Sequence, residues 1–164
     1  MVRFVAERLS EVHDRGSFSS GQAELDRWLV DHALNAETRR TARTFVWHRG
    51  DHVAVAYYSL TAHLLQREGL PRSLGRGGLR QAPAVLLARL ALDRSLHGQG
   101  LGGALLAEAL ERVLAATETV AARFVVVDAI DERAASFYEH HGFQRIPKSL
   151  RLVQKVSDIG AALG

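Results

Sequence analysis

The chain has 164 residues, of which 47% are hydrophobic and 24% are charged, with a formal net charge of +3 and no cysteine. This length and composition are typical of one folded domain over residues 1–164, and the lack of cysteine excludes disulfides and thiolate chemistry. The first ten residues contain Arg3, Glu7 and Arg8 and no long apolar run, so we expect neither a signal peptide nor a membrane span. We therefore expect a cytoplasmic protein.

Hydrophobic patterns in the first half of the chain predict a strand, a helix and a strand pair. These elements are a strand over residues 2–9, a helix from Leu25 to about Ala36, and strands over Thr44–Trp47 and Val53–Leu60. Arg49-Gly50-Asp51 supplies the turn of the strand pair. Residues 66–83 contain four glycines and two prolines, so we expect a long loop there.

The second half of the chain alternates strands with helices, which is typical of an α/β protein. The predicted elements are a strand over Leu86–Asp93, a helix from Gly102 to about Thr117, a strand over Arg123–Asp128, a short helix over Asp131–His140, and a last strand over Phe143–Val156 that Pro147 interrupts. The continuous apolar run in the strand Arg123–Asp128 predicts a buried central position in the sheet.

A glycine-rich loop lies between the strand Leu86–Asp93 and the helix that follows it. Its glycines are Gly98, Gly100, Gly102 and Gly103. Glycine lets the backbone take left-handed conformations, so that successive N–H groups converge on one anion. A helix that opens at about Leu101 adds unpaired amides and the positive end of its dipole. The arrangement predicts a phosphate-binding loop.

Two common kinds of phosphate loop do not fit these residues. A Walker-type loop ends in Gly-Lys-Ser/Thr, whereas this loop ends in Gly-Gly-Ala. Gly98, Gly100 and Gly103 match the G-x-G-x-x-G pattern, but a dinucleotide fold usually opens with this loop and then repeats strand and helix. Here 97 residues precede Gly98, and only about one further strand-helix-strand unit follows, which disfavours a dinucleotide site.

The loop and a second motif together resemble the GNAT N-acetyltransferases. His97-Gly98-Gln99-Gly100-Leu101-Gly102 is similar to the acetyl-CoA signature Gln/Arg-x-x-Gly-x-Gly/Ala, which directly follows a strand in that family. Ala134-Ala135-Ser136-Phe137-Tyr138-Glu139-His140-His141-Gly142-Phe143 is similar to the family's A-x-x-F-Y-x-x-x-G-F helix and turn. The resemblance implies the GNAT acyl-CoA N-acyltransferase fold, a central mixed twisted sheet flanked by helices on both faces.

One branch of this family, the tRNA-acetylating toxins of type II toxin–antitoxin modules, resembles nearly the whole chain. The matching segments are F-x-x-G-x-x-x-L-D from Phe18, Y-Y-S-L from Tyr57 and R-L-A-L-D from Arg89. The resemblance implies that acetyl-CoA is the cosubstrate and that the acceptor is the α-amine of aminoacyl-tRNA. It also implies an antitoxin partner of the ribbon-helix-helix type and no association with a membrane. A homodimer is compatible with the resemblance.

The resemblance further implies roles for individual residues. Leu90, Ala91 and Leu92 would bind the pantetheine of acetyl-CoA, and the segment His97-Gly98-Gln99-Gly100-Leu101-Gly102-Gly103 would hold its pyrophosphate. Tyr138 would protonate the departing CoA thiolate as a general acid. Asp131 stands where many relatives have an asparagine near the pantetheine.

Histidines occur at two places where they could bind a ligand. His97 departs from the glutamine or arginine that the family has, and a neutral imidazole donates to a phosphate less strongly than a guanidinium does. His140 and His141 are adjacent on a predicted helix, where their side chains point about 100° apart and cannot easily share an ion. We therefore expect no metal.

The distribution of basic residues bears on the acceptor of the acetyl group. Six arginines lie between Arg67 and Arg94 against Glu68 and Asp93, and four bases and no acid lie in residues 145–155. If these stretches converge beside Tyr138, they form a basic track for a polyanion such as tRNA. Two interpretations stay open beside this one. An acetyltransferase for a protein or small amine predicts an acidic pocket, and a non-catalytic module would bind acyl-CoA or an antitoxin.

Overall fold

Seven strands and six helices are present in the computed structural model, which describes residues 3–75 and 80–163. The strands are β1 (Val5–Arg8), β2 (Arg43–His48), β3 (Ala56–Gln66), β4 (Gln81–Leu92), β5 (Phe124–Asp128), β6 (Gln144–Arg145) and β7 (Arg151–Lys155). The helices are α1 (Ala23–Asp31), α2 (Ala33–Arg39), α3 (Arg72–Gly75), α4 (Leu101–Thr117), α5 (Glu132–His140) and α6 (Val156–Leu163), with a 3₁₀ turn over Arg94–Leu96.

The strands form one mixed sheet in the order β1-β2-β3-β4-β5-β7-β6. β4 and β5 run parallel, with Ala84–Leu87 paired to Phe124–Val127, while β1 with β2, β2 with β3, and β7 with both β5 and β6 are antiparallel. The prediction of a mixed α/β sheet is confirmed. The chain divides into two compact units, Met1–Thr61 with Ala88–Glu108, and Ala62–Leu87 with Ala109–Gly164.

In the first unit, two consecutive tyrosines show why helices cover both faces of the sheet. Side chains alternate between the faces along β3, so Tyr57 and Tyr58 point in opposite directions. The Tyr57 hydroxyl donates to the Leu25 carbonyl of α1 at 2.6 Å, and the Tyr58 hydroxyl donates to Glu108 of α4 at 2.8 Å. Both rings are fully buried. One strand therefore fixes a helix on each face.

The apolar core of the first unit joins α1 and α2 to β2, β3 and β4. Its buried members include Phe18, Leu29, Ala33, Val46, Tyr57 and Ala91. The core of the second unit contains Leu65, Leu74, Ala84, Phe124, Val126 and Val153. β5 is buried from Phe124 to Val127, which confirms the central position that its apolar run predicted.

Several element boundaries in the first 92 residues differ from the predicted ones. The predicted helix from Leu25 is two helices, because His32 leaves helical geometry at φ −125° and α2 then continues to Arg39. β3 begins at Ala56 and Val53 pairs separately with Asp14. The predicted loop 66–83 is shorter, since β4 begins at Gln81 and α3 lies within it. Its residues 76–79 lie outside the described part of the chain.

The end of the chain departs most from the sequence prediction. Phe143–Val156 is not one interrupted strand but the antiparallel pair β6 and β7, because the chain reverses after Pro147 with Lys148 at φ 60°. The helix α6 was not predicted, although Ile159 on it is buried. Among the described residues, no helix is long and apolar enough to cross a membrane.

Glu37 provides a test of how the first unit is held together. Its carboxylate, of which only 9% is exposed, accepts the Thr44 N–H at 2.7 Å and also pairs with Arg8 and Arg43. Removing the carboxylate leaves a buried N–H and a half-buried cation without their acceptor. We expect Glu37→Ala to lower the free energy of unfolding by about 2–3 kcal/mol in urea titrations. The same change at the exposed Glu11 should cost less than about 0.5 kcal/mol, and equal losses would contradict this role of Glu37.

Candidate functional site

The glycine loop begins at a carboxylate that ends β4. Asp93 accepts the Ser19 N–H at 2.9 Å through Oδ1, and the Ser95 N–H and hydroxyl at 3.1 and 2.7 Å through Oδ2. Burial alone would raise the pKa of Asp93, but these hydrogen bonds outweigh it and hold that pKa below its ordinary value. The charged carboxylate thus fixes the start of the loop against the chain before α1.

The loop itself is open and has the backbone geometry that glycine permits. Gly98 and Gly100 have φ values of 76° and 74°, in the left-handed region that side chains disfavour. A Cβ built at either position would meet no atom within 4 Å. α4 begins at Leu101, so Gly102 and Gly103 lie in its first turn, where helix N–H groups lack internal acceptors. This set of free amides and the helix dipole fits a pyrophosphate.

α4 is held to the sheet by a second carboxylate, which the sequence did not identify. Glu108 accepts the indole N–H of Trp47 at 2.9 Å through Oε1 and the hydroxyl of Tyr58 at 2.8 Å through Oε2. Both donors are buried, on β2 and β3. Asp93 before the loop and Glu108 along α4 therefore fix the position of the loop from its two ends.

The residues predicted to bind pantetheine and pyrophosphate lie on β4 and in the loop after it, and their surroundings differ. Ala91 is buried in the core of the first unit, while Leu90 and Leu92 are half-buried. The Nε2 of His97 lies 3.0 Å from the Leu92 carbonyl, to which it donates, and Gln99 donates to the Ser95 carbonyl at 3.1 Å. The two side chains thus stabilise the loop, and its backbone amides remain for the anion. Their predicted contacts with the cosubstrate stay predictions.

Tyr138 lies on α5 in the second unit. Only 8% of it is exposed, and its ring packs edge-on against Phe137 and Phe143 with centroids 5.2 and 5.6 Å away. Its hydroxyl has no hydrogen-bond partner among the described residues. Burial raises the pKa of Tyr138 above its ordinary value, which keeps the phenol in the donor form. A buried phenol with a free proton is suited to general acid chemistry.

Asp131 has a structural function in the same unit. It precedes α5 in extended conformation, and its Oδ1 accepts the Ala134 N–H at 2.8 Å. This is the geometry of a helix N-cap, which stabilises the helix that carries Tyr138. Its predicted contact with pantetheine stays a prediction.

A cluster of histidines surrounds Glu7 in the first unit. Glu7 Oε1 is 2.8 Å from His13 Nε2 and 2.6 Å from His48 Nε2, and with His48 and His52 it forms a group close enough to hold a metal ion. However, the Nδ1 atoms of His13 and His48 accept backbone N–H groups at 3.0 Å, which assigns the ring hydrogens to the Nε2 atoms facing Glu7. Nitrogen that carries hydrogen cannot ligate a metal, so we describe the cluster as a hydrogen-bonded network.

The basic run near the end of the chain is largely paired. Arg145 binds Glu132 at 2.7 Å and Glu139 at 3.1 Å, and Arg151 binds both oxygens of Asp128 at 2.7 and 2.8 Å. These carboxylates lie outside residues 145–155, so the count of bases in that segment overstates the positive charge that is open to a ligand. In the first unit, by contrast, Arg89 stacks on Trp28 and lacks a carboxylate partner among the described residues.

A family model described as the acetyltransferase (GNAT) domain matches residues 40–145, which include the glycine loop and Tyr138. The chain belongs to the GNAT family of acetyltransferases. Its predicted fold is thereby confirmed.

Similar proteins cover this GNAT chain almost completely. A tRNA-acetylating toxin of Mycobacterium tuberculosis is 34% identical over 96% of this chain and 95% of its own length. The structure of AtaT complexed with acetyl-methionyl-tRNAfMet has a TM-score of 0.90 at 27% identity, covering 99% of this chain and 100% of AtaT. A tyrosine-to-phenylalanine mutant of AtaT, bound to the C-terminus of the antitoxin AtaR and acetyl-CoA, has a TM-score of 0.83 at 26% identity, covering 98% and 97% of the two chains.

The Glu108 anchor of this acetyltransferase can be tested by two substitutions. Leucine at this position leaves two buried donors unsatisfied, so we expect Glu108→Leu to lower the free energy of unfolding by about 2–4 kcal/mol. Glutamine offers its oxygen to Trp47 and its NH₂ to the Tyr58 oxygen, so only the Tyr58 O–H loses its acceptor, and Glu108→Gln should cost about half as much as the leucine variant, about 1–2 kcal/mol. Urea denaturation measures both values, and similar costs for both variants would refute the anchor.

The raised pKa of Tyr138 in this acetyltransferase predicts an unusual titration. A phenol whose pKa lies above its ordinary value of 10 stays protonated as the pH rises through that value. We therefore expect Tyr138→Phe to leave the tyrosinate absorbance gained between about pH 9 and 11 unchanged. The chain has three tyrosines. Burial also raises the pKa of Tyr57, so a clear loss of this absorbance in the variant would show that Tyr138 titrates normally.

Proposed function

We propose that this acetyltransferase transfers the acetyl group of acetyl-CoA to the α-amine of aminoacyl-tRNA and acts as a translation-blocking toxin. The observation that carries the proposal is the 34% identity to a tRNA-acetylating toxin over 96% of the chain. The likeness to AtaT complexed with acetyl-methionyl-tRNAfMet at a TM-score of 0.90 supports the same acceptor. Acetylation removes the nucleophilic amine that peptide bond formation requires, which accounts for toxicity.

Acetyl-CoA is held in this proposal by the loop that follows β4. The backbone amides of Gly98 to Gly103 and the N-terminus of α4 bind the pyrophosphate, and the backbone of Leu90 and Leu92 pairs with the pantetheine amides. The open space at Gly98 and Gly100, where a Cβ would meet nothing within 4 Å, supports this use of the loop. The AtaT structure that contains acetyl-CoA supports the same cosubstrate.

The chemistry requires one proton donor and one oxyanion stabiliser. The neutral amine attacks the thioester carbonyl, and backbone N–H groups near Leu92 stabilise the oxyanion of the tetrahedral intermediate. When the C–S bond breaks, the Tyr138 hydroxyl gives its proton to the CoA sulfur. An α-amine titrates at about pH 7.7–8.0, so a substantial fraction is already neutral and no side-chain base is needed. The proton lost by the attacking amine passes to water, and a proton from water restores the Tyr138 phenol.

An antitoxin is the protein partner in this proposal. AtaT binds the C-terminus of the antitoxin AtaR, and the same arrangement would let a partner occlude the site of this chain. The resemblance to the toxin branch implies the ribbon-helix-helix type for that partner and is compatible with a homodimer of this chain. Cytoplasmic location follows from the same function, since the acceptor is aminoacyl-tRNA.

The decisive experiment measures transfer from labelled acetyl-CoA to a pool of charged tRNAs. We expect the wild type to label the aminoacyl group and Tyr138→Phe to lower kcat by about 10²–10⁴-fold, the usual contribution of a general acid. Tyr57→Phe is the matched control, because it removes another buried tyrosine hydroxyl that only bonds the Leu25 carbonyl.

Two outcomes would contradict the proposal in different ways. Label on peptides or polyamines but not on tRNA would replace the acceptor by a protein or small amine. Equal rates for wild type and Tyr138→Phe would remove Tyr138 from the chemistry while leaving the acceptor intact.

A further inference from the structure

A guanidinium in the first unit packs on an aromatic ring and has no ion-pair partner in the described part of the chain. The Cζ atom of Arg89 on β4 lies 3.9 Å from the ring centroid of Trp28 on α1. The Tyr57 ring is stacked with Trp28, 6.1 Å between centroids and 10° between planes. Tyr57 is fixed by its hydrogen bond to the Leu25 carbonyl. The guanidinium therefore packs against a ring that is itself held in an aromatic pair.

Arg89 lacks the carboxylate partner that four other arginines of the described chain have. Arg8, Arg43, Arg145 and Arg151 each pair with Asp or Glu within 3.1 Å. No ion pair or hydrogen bond to Arg89 is present among the described residues. Burial lowers the pKa of Arg89, and the carboxylate of Glu24 opposes that shift only in part. A half-buried cation without a counter-ion is an unfavourable arrangement that an anionic ligand would relieve.

The position of Arg89 on β4 places this cation near the proposed reaction site. Arg89 is next to Leu90, whose backbone we assign to the pantetheine, and at about 3.3 Å per residue its Cα lies roughly 10 Å from that of Leu92. An arginine side chain and one nucleotide span such a distance. An acceptor whose amine reaches Leu92 can therefore bring a nearby anion to Arg89.

We propose that the Arg89 guanidinium binds the phosphate that joins the last two nucleotides of aminoacyl-tRNA. This rests on the proposed function and adds a specificity residue to it. The planar guanidinium of an arginine that packs on Trp28 can donate two parallel hydrogen bonds to two phosphate oxygens. Trp28 is covered by Tyr57 and Arg89, so the ligand is a phosphate and not a stacked base. Every aminoacyl-tRNA carries this phosphate one nucleotide from the reacting ester.

The test compares two small acceptors that differ in this phosphate. One is an aminoacylated cytidylyl-adenosine dinucleotide, and the other is the same amino acid on adenosine alone. We expect the wild type to use the dinucleotide with a kcat/KM about tenfold or more above that for the nucleoside. Arg89→Met should lower kcat/KM for the dinucleotide about 10–100-fold, the range for a charge-assisted contact, and change that for the nucleoside by less than about twofold.

Two further variants separate recognition from packing and general charge. Arg89→Lys keeps the charge but not the planar fork, so its loss should fall between those of the wild type and Arg89→Met. Arg8→Met removes an exposed arginine that is paired with Glu37 and should leave the ratio between the two acceptors unchanged. Thermal unfolding of each variant shows whether it remains folded at the assay temperature.

Each contrary outcome has a distinct meaning. Equal losses on both acceptors in Arg89→Met would assign Arg89 to packing on Trp28, and no loss on either would remove it from recognition. Oligoglutamate serves as a probe for binding of protein carboxylates. If Arg89→Met keeps its rate with the dinucleotide but is no longer inhibited by oligoglutamate as the wild type is, Arg89 binds a protein carboxylate and the phosphate proposal is wrong. If the wild type acetylates neither charged tRNA nor the dinucleotide, the proposed function itself is wrong.

Discussion

The hydrogen bonds of Asp93 are the constraint on which the cosubstrate site depends. Its carboxylate binds Ser19 and Ser95, while its own N–H donates to the Val55 carbonyl at 2.8 Å. The end of β4 is thereby tied to the chain before α1, to the chain before β3 and to the first turn of the glycine loop. Because Gly98 and Gly100 contact little themselves, the loop takes its position from Asp93 at one end and Glu108 at the other. An anion site of backbone amides needs this rigidity, since amides bind well only when they converge.

Several carboxylates of the described chain are paired internally, whereas two candidate functional groups lack such partners. Glu37, Asp128, Glu132 and Glu139 each accept from arginine, and Glu108 accepts from two aromatic donors. Tyr138 and Arg89 instead present the hydroxyl of a buried ring and a half-buried cation, and neither has a hydrogen-bond or ion-pair partner among the described residues. Burial without a partner costs stability, so a group of this kind is a candidate for contact with a ligand. In the proposed function the Tyr138 hydroxyl gives a proton to sulfur, and the Arg89 guanidinium binds a phosphate oxyanion.

Local chemistry made the functional core of the sequence predictable. The apolar strand, the glycines and the alanine- and leucine-rich helix are contiguous, so the end of β4 and the bounds of α4 were predicted within about one residue, whereas β4 begins at Gln81 and not at the predicted Leu86. Errors occur where tertiary contacts decide, as in the break at His32, the pair β6 and β7, and α6 with its buried Ile159. Glu108 and the stack of Arg89 on Trp28 could not be found from spacing, because their partners are about 50 to 60 residues away in the chain.

The pairing of arginines changes how acceptor recognition should be understood. The sequence suggested a diffuse basic track, but Arg145 and Arg151 are neutralised by carboxylates that the fold brings to them. Exposed ion pairs contribute little long-range attraction, because each charge is cancelled within a few ångströms and salt screens the remainder. An unpaired guanidinium on a rigid aromatic support acts differently, since it recognises one phosphate at one distance from the reacting amine. Selectivity for a charged acceptor end can therefore come from a few positioned groups, without a large net charge.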